Sequence, residues 1–222
     1  MSHEKQGEKM SFLVASLKPK EEIYTFKNND FPENIQDFQV DDSKGLSLAR
    51  NLLAEKAETN VLIFGDDDIK IADSLWGKIE DPLPLQKIYM YQGGNHPVSR
   101  LLIIRKETFA FLGGFDENIK YNGEDFDLYL RALDAGLFVS IIPSGYVLHK
   151  PHSKRNWARY HFESPYVRIK HRKCGVNFFI YRNPLVMLLR ITGFIYYRFV
   201  KGITPDYPTK GIWKSEGMDV VY

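Results

Sequence analysis

Three consecutive carboxylates, Asp66-Asp67-Asp68, end the apolar run Val61-Leu62-Ile63-Phe64-Gly65. Like charges this close repel one another, and burying them unpaired is costly. A positive group is therefore expected beside them. A divalent cation bridging to phosphate suits such oxygens; a solvated acidic turn is the simpler alternative. A second acidic cluster follows: Gly113-Gly114-Phe115-Asp116-Glu117, then Gly123-Glu124-Asp125-Phe126-Asp127, with Arg131 beyond. Carboxylates in the first turn of a helix are stabilised by its dipole, which accounts for Glu124, Asp125 and Asp127 without any chemistry. It does not account for the glycine pair, which permits close backbone approach to a ligand.

These residues need elements to hold them. Val61 to Phe64 is short, apolar and rich in β-branched and aromatic side chains, which predicts a buried strand. Ser11 to Leu17, Ile35 to Val40, Leu85 to Tyr91, Arg100 to Ile104, Leu137 to Ile142 and Tyr146 to Leu148 read as further strands. Leu46, Ala49, Leu52 and Leu53 recur at helical spacing, predicting an amphipathic helix to Glu58. A second helix is expected from Glu124 to Ala135, ended by Gly136. Asp81-Pro82-Leu83-Pro84 is a break, and Gly93-Gly94 marks a turn. Strands alternating with helices favour an α/β domain around a mostly parallel sheet. In such sheets ligands bind beyond the carboxyl ends of strands, where Asp66 to Asp68 are placed.

The chain has 222 residues, 44% hydrophobic and 26% charged, with a formal net charge of +2. This is ordinary globular composition, and it offers no bulk electrostatic basis for nucleic-acid binding. One cysteine, Cys174, excludes an internal disulfide framework and a multi-cysteine zinc site. It reads as a small packed residue. The polar stretch Met1 to Met10 lacks the apolar core of a signal peptide. No uncharged apolar stretch is long enough for a conventional spanning helix.

The order Gly45, Ala49-Arg50-Asn51, Asp66-Asp67-Asp68, Gly113-Gly114-Phe115-Asp116-Glu117, Glu124-Asp125-Phe126-Asp127-Leu128, Arg131 and His149 resembles family 2 glycosyltransferases of the GT-A fold. The resemblance covers roughly residues 11–150 and implies inverting transfer of a sugar from a nucleoside-diphosphate sugar to an acceptor hydroxyl. It makes the acidic triplet a DxD motif, with Asp66 near the ribose and Asp68 on the metal. Mn²⁺ or Mg²⁺ would suit that site, and a histidine ligand favours Mn²⁺. Asp67 lies between them without a distinct role. Asp125 is implied as general base, with Glu124 orienting it or the acceptor. His149, after an apolar strand, is implied as a metal or diphosphate contact, with His152 the alternative; in general an ordinary strand-end histidine is commoner. Arg50 and Asn51 are implied near the nucleotide or its phosphates, and Asp41 or Asp42 near the base. Gly113 and Gly114 would leave room for acceptor sugar.

The expected organisation is a GT-A catalytic domain over 1–152 and a basic, amphipathic helical extension over 153–222. Residues 183–200 mix apolar and aromatic side chains with Arg190 and Arg198. They suit a membrane interface, a packed helix or a homodimer contact. The acceptor is expected to be a glycan, a lipid carrier or a protein, and the location cytoplasmic, peripheral on the inner face of a membrane. A sugar nucleotidyltransferase would share the carboxylates and the sheet, but Ser11 to Lys20 lacks the glycine-rich loop it needs. A non-catalytic binding or scaffold protein could keep the same fold.

Overall fold

The computed structural model describes residues 7–41, 45–93, 96–119, 123–150, 157–171 and 183–204. Asp42, His152 and Cys174 lie outside them. Eight strands occur among these residues: β1 (Met10–Ala15), β2 (Ile35–Asp41), β3 (Val61–Gly65), β4 (Ile69–Ile71), β5 (Lys87–Gly93), β6 (His96–Arg105), β7 (Phe138–Ile142) and β8 (Val147–His149). Six build one sheet in the order β2-β1-β3-β6-β5-β7. Its pairings are parallel except where β6 runs antiparallel to β3 and to β5. The helices are α1 (Tyr24–Lys27), α2 (Leu46–Lys56), α3 (Lys106–Phe111), α4 (Glu124–Asp134), α5 (Trp157–Glu163), α6 (Pro165–Lys170) and α7 (Pro184–Ile195).

The sheet is covered on both faces, which is why β3 is apolar throughout rather than alternating. Successive side chains point to opposite faces. Leu62 and Phe64 enter a core layer with Leu53, Ala54, Met90, Leu102, Leu128 and Ala132, so α2 and α4 pack on that side. Val61 and Ile63 enter the other layer with Phe12, Ile69, Ile71, Leu75 and Tyr89. Gly65, the last residue of β3, lies against Phe12: a Cβ there would be 2.6 Å from the ring. Past residue 152 the chain continues into the same structure: Tyr166 and Val167 of α6 belong to the core layer of α2 and α4.

Boundaries shift where local geometry overrides the pattern. Helix α2 stops at Lys56 because Ala57 turns extended, with ψ 133°. Helix α4 ends at Asp134, one residue short of the expected Ala135, and Gly136, with φ +76°, supplies the left-handed stop. The periodic pattern missed β4, only three residues long, and the short helices α1 and α3.

One buried ionic cluster ties the outer elements to α4. Asp127 is fully buried and meets Arg131 (2.7 Å), Lys170 (2.9 Å) and His171 (2.9 Å). Arg131 also donates to the Leu112 carbonyl. Lys170 reaches Asp116 at 2.7 Å, and the Tyr166 hydroxyl donates to the same carboxylate. These partners hold the Asp127 carboxyl well below its ordinary value of 3.8 despite burial. A depressed carboxylate contributes stability above the unfolded pKa, and that stability is lost as pH falls below it. Asp127→Asn is therefore expected to lose about 3 kcal/mol at neutral pH in urea unfolding, because it strands buried cations. Its deficit against the unsubstituted protein should shrink once pH drops below 3.8. An unchanged midpoint at neutral pH would remove this cluster from the stabilising interactions.

Candidate active site

The chain leaves β1 toward β2 on one side and leaves β3 toward β6, β5 and β7 on the other. The crevice beyond the carboxyl ends of β1 and β3 is thus a topological switch point, where open α/β sheets take ligands. The acidic triplet sits there, and its three side chains diverge. Asp67 turns to the segment after β1, accepting from Ser16 Oγ (2.8 Å) and Lys18 Nζ (2.8 Å). Asp66 faces Arg50 (3.1 Å) and Arg100 (3.7 Å). Asp68 Oδ1 lies 3.0 Å from His149 Nε2.

Backbone pairing brings that histidine in. Strands β4 and β8 form a separate two-stranded ribbon in which Ile69 pairs with His149. The Lys150 N–H donates to the Asp68 carbonyl at 2.8 Å. Thr25 Oγ1 fixes the loop from the other side: it donates to the Asp66 carbonyl (2.7 Å) and accepts from the Ile69 N–H (3.0 Å). One ligand atom from each of Asp66, Asp68 and His149 lies within 4.8 Å of the others. Two carboxylates and an imidazole converging on one point fit a divalent cation, and the imidazole suits Mn²⁺ better than Mg²⁺.

Arg50 lies behind the carboxylates. It is only 2% exposed. Its Nη1 donates to Ser99 Oγ (2.7 Å) and meets Glu124 Oε1 at 3.3 Å, while its Nη2 meets Asp66. The guanidinium therefore joins the end of β3 to the first turn of α4. Asp66 feels the positive charge of Arg50 and Arg100 and the negative charge of Asp68 and Glu124, and Asp125 feels Arg50 and Asp66. Burial raises the Asp66 pKa to about 6, with Asp68 and Glu124 adding and Arg50 and Arg100 opposing. Burial foremost, and then Asp66, also raises Asp125, against backbone N–H groups of Phe126 and Ser99 and the charge of Arg50. Carboxyl groups raised foremost by burial, with like charges beside them in a crevice, mark a candidate functional site.

The remaining expected residues have other surroundings. Asn51 accepts from the Phe115 N–H (2.8 Å) and donates to the Phe115 carbonyl and to Glu117 (both 2.9 Å). Its side chain is occupied by the glycine loop. Gly114 has φ +68°, and a Cβ there would lie 2.8 Å from Asn51 Oδ1. Gly113, Asn51, Arg131 and Lys170 line a cavity of about 400 Å³ whose walls include none of Asp66, Asp68, Glu124 and Asp125. Asp41, at the end of β2, is buried and accepts from Lys56 Nζ at 3.0 Å. The pattern did not point to Ser16, Lys18, Thr25, Ser99 or Arg100. For Ser99 and Arg100 a signal existed: a polar pair interrupts an otherwise apolar stretch of β6.

No protein-family model and no curated protein sequence matches the chain. Solved structures do. A mannosyltransferase from Pyrobaculum calidifontis, in complex with GDP-mannose and Mn²⁺, superposes with a TM-score of 0.56 at 11% identity, over 87% of this chain and 71% of that one. The fold is the GT-A fold. GalNAc-T7 with UDP, GalNAc and Mn²⁺ (TM-score 0.48, 12% identity, 88% of this chain and 57% of that one) and the catalytic domain of Drosophila β1,4-galactosyltransferase 7 with xylobiose (0.45, 17%, 60% and 64%) also match. This chain thus spans less than two thirds of the length of those last two.

Proton and metal compete for the same oxygens, so metal affinity falls where a ligand protonates. Mn²⁺ is expected to raise the melting temperature at pH 7 and above. That gain should fade as pH falls through about 6, where Asp66 takes its proton. Asp68→Asn is expected to abolish the gain and His149→Ala to reduce it. A Mn²⁺ shift that survives Asp68→Asn would place the cation elsewhere.

Proposed function

We propose that the protein is a metal-dependent glycosyltransferase that moves a sugar from a nucleoside-diphosphate sugar to an acceptor hydroxyl, with inversion at the anomeric carbon. The observation that carries this reading is that Asp66, grouped with Asp68 and His149, is joined through the buried Arg50 to Glu124, and that Asp125 lies within reach of the same arginine's charge. This group lies at the switch point of a GT-A fold. The GDP-mannose and Mn²⁺ held by the Pyrobaculum structure fit the same chemistry.

In this reading Asp68 and His149 would hold the cation, with Asp66, expected at the ribose, close enough to join them, and Mn²⁺ would be favoured over Mg²⁺. When bound, it supplies Lewis-acid stabilisation of the charge that grows on the departing diphosphate. Asp125 accepts the proton of the acceptor hydroxyl as its oxygen bonds to the anomeric carbon. The bond to the diphosphate breaks on the opposite side, and the nucleoside diphosphate leaves with the electron pair. The raised pKa of Asp125 makes it a stronger base than an exposed carboxylate. Arg50 acts through Asp66 and Glu124, keeping both in place while the donor occupies the crevice. Asp41, at the end of β2, is assigned to the nucleotide side, and Asp67 to holding the segment after β1. The acceptor is a hydroxyl of a glycan, a lipid carrier or a protein, and residues 183–200 contribute a membrane-facing or subunit-facing surface outside the donor crevice.

Calorimetry with UDP-, GDP- and dTDP-sugars in the presence of Mn²⁺ tests donor binding. One of them is expected to bind, and binding should disappear with Asp68→Asn. Asp125→Asn is expected to keep donor affinity and lose at least about a hundredfold in transfer rate. The product anomer, read by NMR, is expected to be inverted. Wild-type transfer rates in Asp125→Asn would strip Asp125 of the base role, and no donor binding under any condition would favour a scaffold protein.

A further inference from the structure

Strand β6 breaks register beside the candidate cation site. Met90 of β5 pairs with Leu102, but the next residue, Tyr91, pairs with Val98. Ser99, Arg100 and Leu101 therefore stand opposite no residue of β5. Extra residues of this kind bend a strand and re-aim its side chains, and they recur beside active sites. Along its other edge β6 stays in register. Leu101 pairs with Gly65, and the Asp66 N–H donates to the Arg100 carbonyl at 3.0 Å. The bulge thus carries Ser99 and Arg100 against the start of the acidic triplet. Ser99 is fully engaged there: its hydroxyl accepts from Arg50 at 2.7 Å, and its N–H donates to Asp125.

Arg100 is engaged far less. Arg50, Arg105 and Arg131 each have a carboxylate within 3.1 Å and a hydroxyl or carbonyl oxygen besides. For Arg100 the carboxylate is Asp66, whose Oδ2 lies 3.7 Å away, beyond hydrogen-bond reach. Its Nε is buried without a hydrogen-bond partner, and its guanidinium forms no hydrogen bond to any described residue. Asp66 is in addition shared, since it meets Arg50 and groups with Asp68 and His149. What holds Arg100 is an aromatic face: its guanidinium carbon lies 5.1 Å from the Tyr91 ring centroid, a cation–π contact. The side chain is 22% exposed, so the propped fork still opens on the crevice. A planar cation with unused donors suits bidentate pairing with an oxyanion.

We propose that Arg100 is a ligand-contacting residue whose guanidinium binds an oxyanion of the substrate, either a phosphate of the donor or a carboxylate carried by the saccharide. This rests on the reading of the crevice as a donor site. Calorimetry in the presence of Mn²⁺ tests it with two sets of probes. UDP, GDP, dTDP and pyrophosphate offer phosphate; glucuronate and UDP-glucuronate, set against glucose and UDP-glucose, offer carboxylate. Arg100→Met keeps a stem over Tyr91 and removes the fork. It is expected to weaken anion binding at least about tenfold, the loss of a charge-assisted pair. Mn²⁺ alone should bind at least as tightly as before, since a positive charge beside Asp66 is gone. Arg100→Lys, which keeps the charge without the fork, should recover only part of the loss. A loss that includes pyrophosphate assigns the phosphate, and a loss confined to the two glucuronate probes assigns the carboxylate. The proposal is overturned if Arg100→Met binds every probe as the unsubstituted protein does, or if the unsubstituted protein binds none of them. It is equally overturned if Mn²⁺ affinity and melting temperature fall together with anion binding, which would make Arg100 a structural residue. Arg100-dependent binding of pyrophosphate or glucuronate, without binding of any nucleotide sugar, would sustain the proposal and remove the transferase reading instead.

Discussion

A buried guanidinium is the constraint on which the site's arrangement depends. Arg50 is almost inaccessible, and a cation there is tolerable only if anions and dipoles surround it. Asp66, Glu124 and Ser99 do so, and they come from three separate places: the end of β3, the start of α4 and the middle of β6. Each carboxylate is in turn acceptable because Arg50 is present. The arginine thus sets the separation between the segment that would hold a cation and the segment that would hold a base. A divalent ion beside Asp66, Asp68 and His149 would add positive charge on the side of Asp66 away from Arg50's other partners, Glu124 and Ser99.

The acidic triplet shows how a run of like charges becomes tolerable by dispersal. The backbone after β3 turns so that each carboxylate finds a different partner: Arg50 and Arg100 for Asp66, Ser16 and Lys18 for Asp67, His149 for Asp68. Thr25 makes the turn rigid by bridging the Asp66 carbonyl and the Ile69 N–H. Asp67 accepts from Ser16 and Lys18. It fastens the end of β1 to the end of β3, so the floor of the crevice does not spread under the repulsion of the residues that flank it.

Much of this fold was legible from apolar runs, because a strand buried on both faces has little freedom in composition: β3 could hardly be read otherwise. The pairing of Asp68 with His149 was not legible, since it depends on a three-residue ribbon too short to carry a period. Arg50 is a different case. It lies four residues after Leu46 and three before Leu53, on the face that packs against the sheet, so its burial could be inferred from helical spacing alone. A nucleotide or phosphate role for Arg50 is what the family resemblance adds to that position. Asn51 and the Gly113-Gly114 pair were conspicuous for an equally local reason. The left-handed backbone at Gly114 and the Asn51 clasp on Phe115 require those residue types, whatever lies in the adjoining cavity.

The segment after residue 156 bears on the site although it supplies none of the expected catalytic side chains. Gly123 begins α4 with φ +102°, and a Cβ there would lie 3.0 Å from Val167 of α6. One turn on, Asp127 is gripped by Lys170 and His171. Both contacts fall on the first turn of α4, on either side of Glu124 and Asp125. A helix terminus is normally where a helix frays, because its N–H groups lack intrahelical partners. Here α6 closes over that end, so the two carboxylates project from a turn anchored below by Arg50 and above by α6. The base of the proposed reaction is therefore positioned jointly by the sheet and by the segment that leads toward α7.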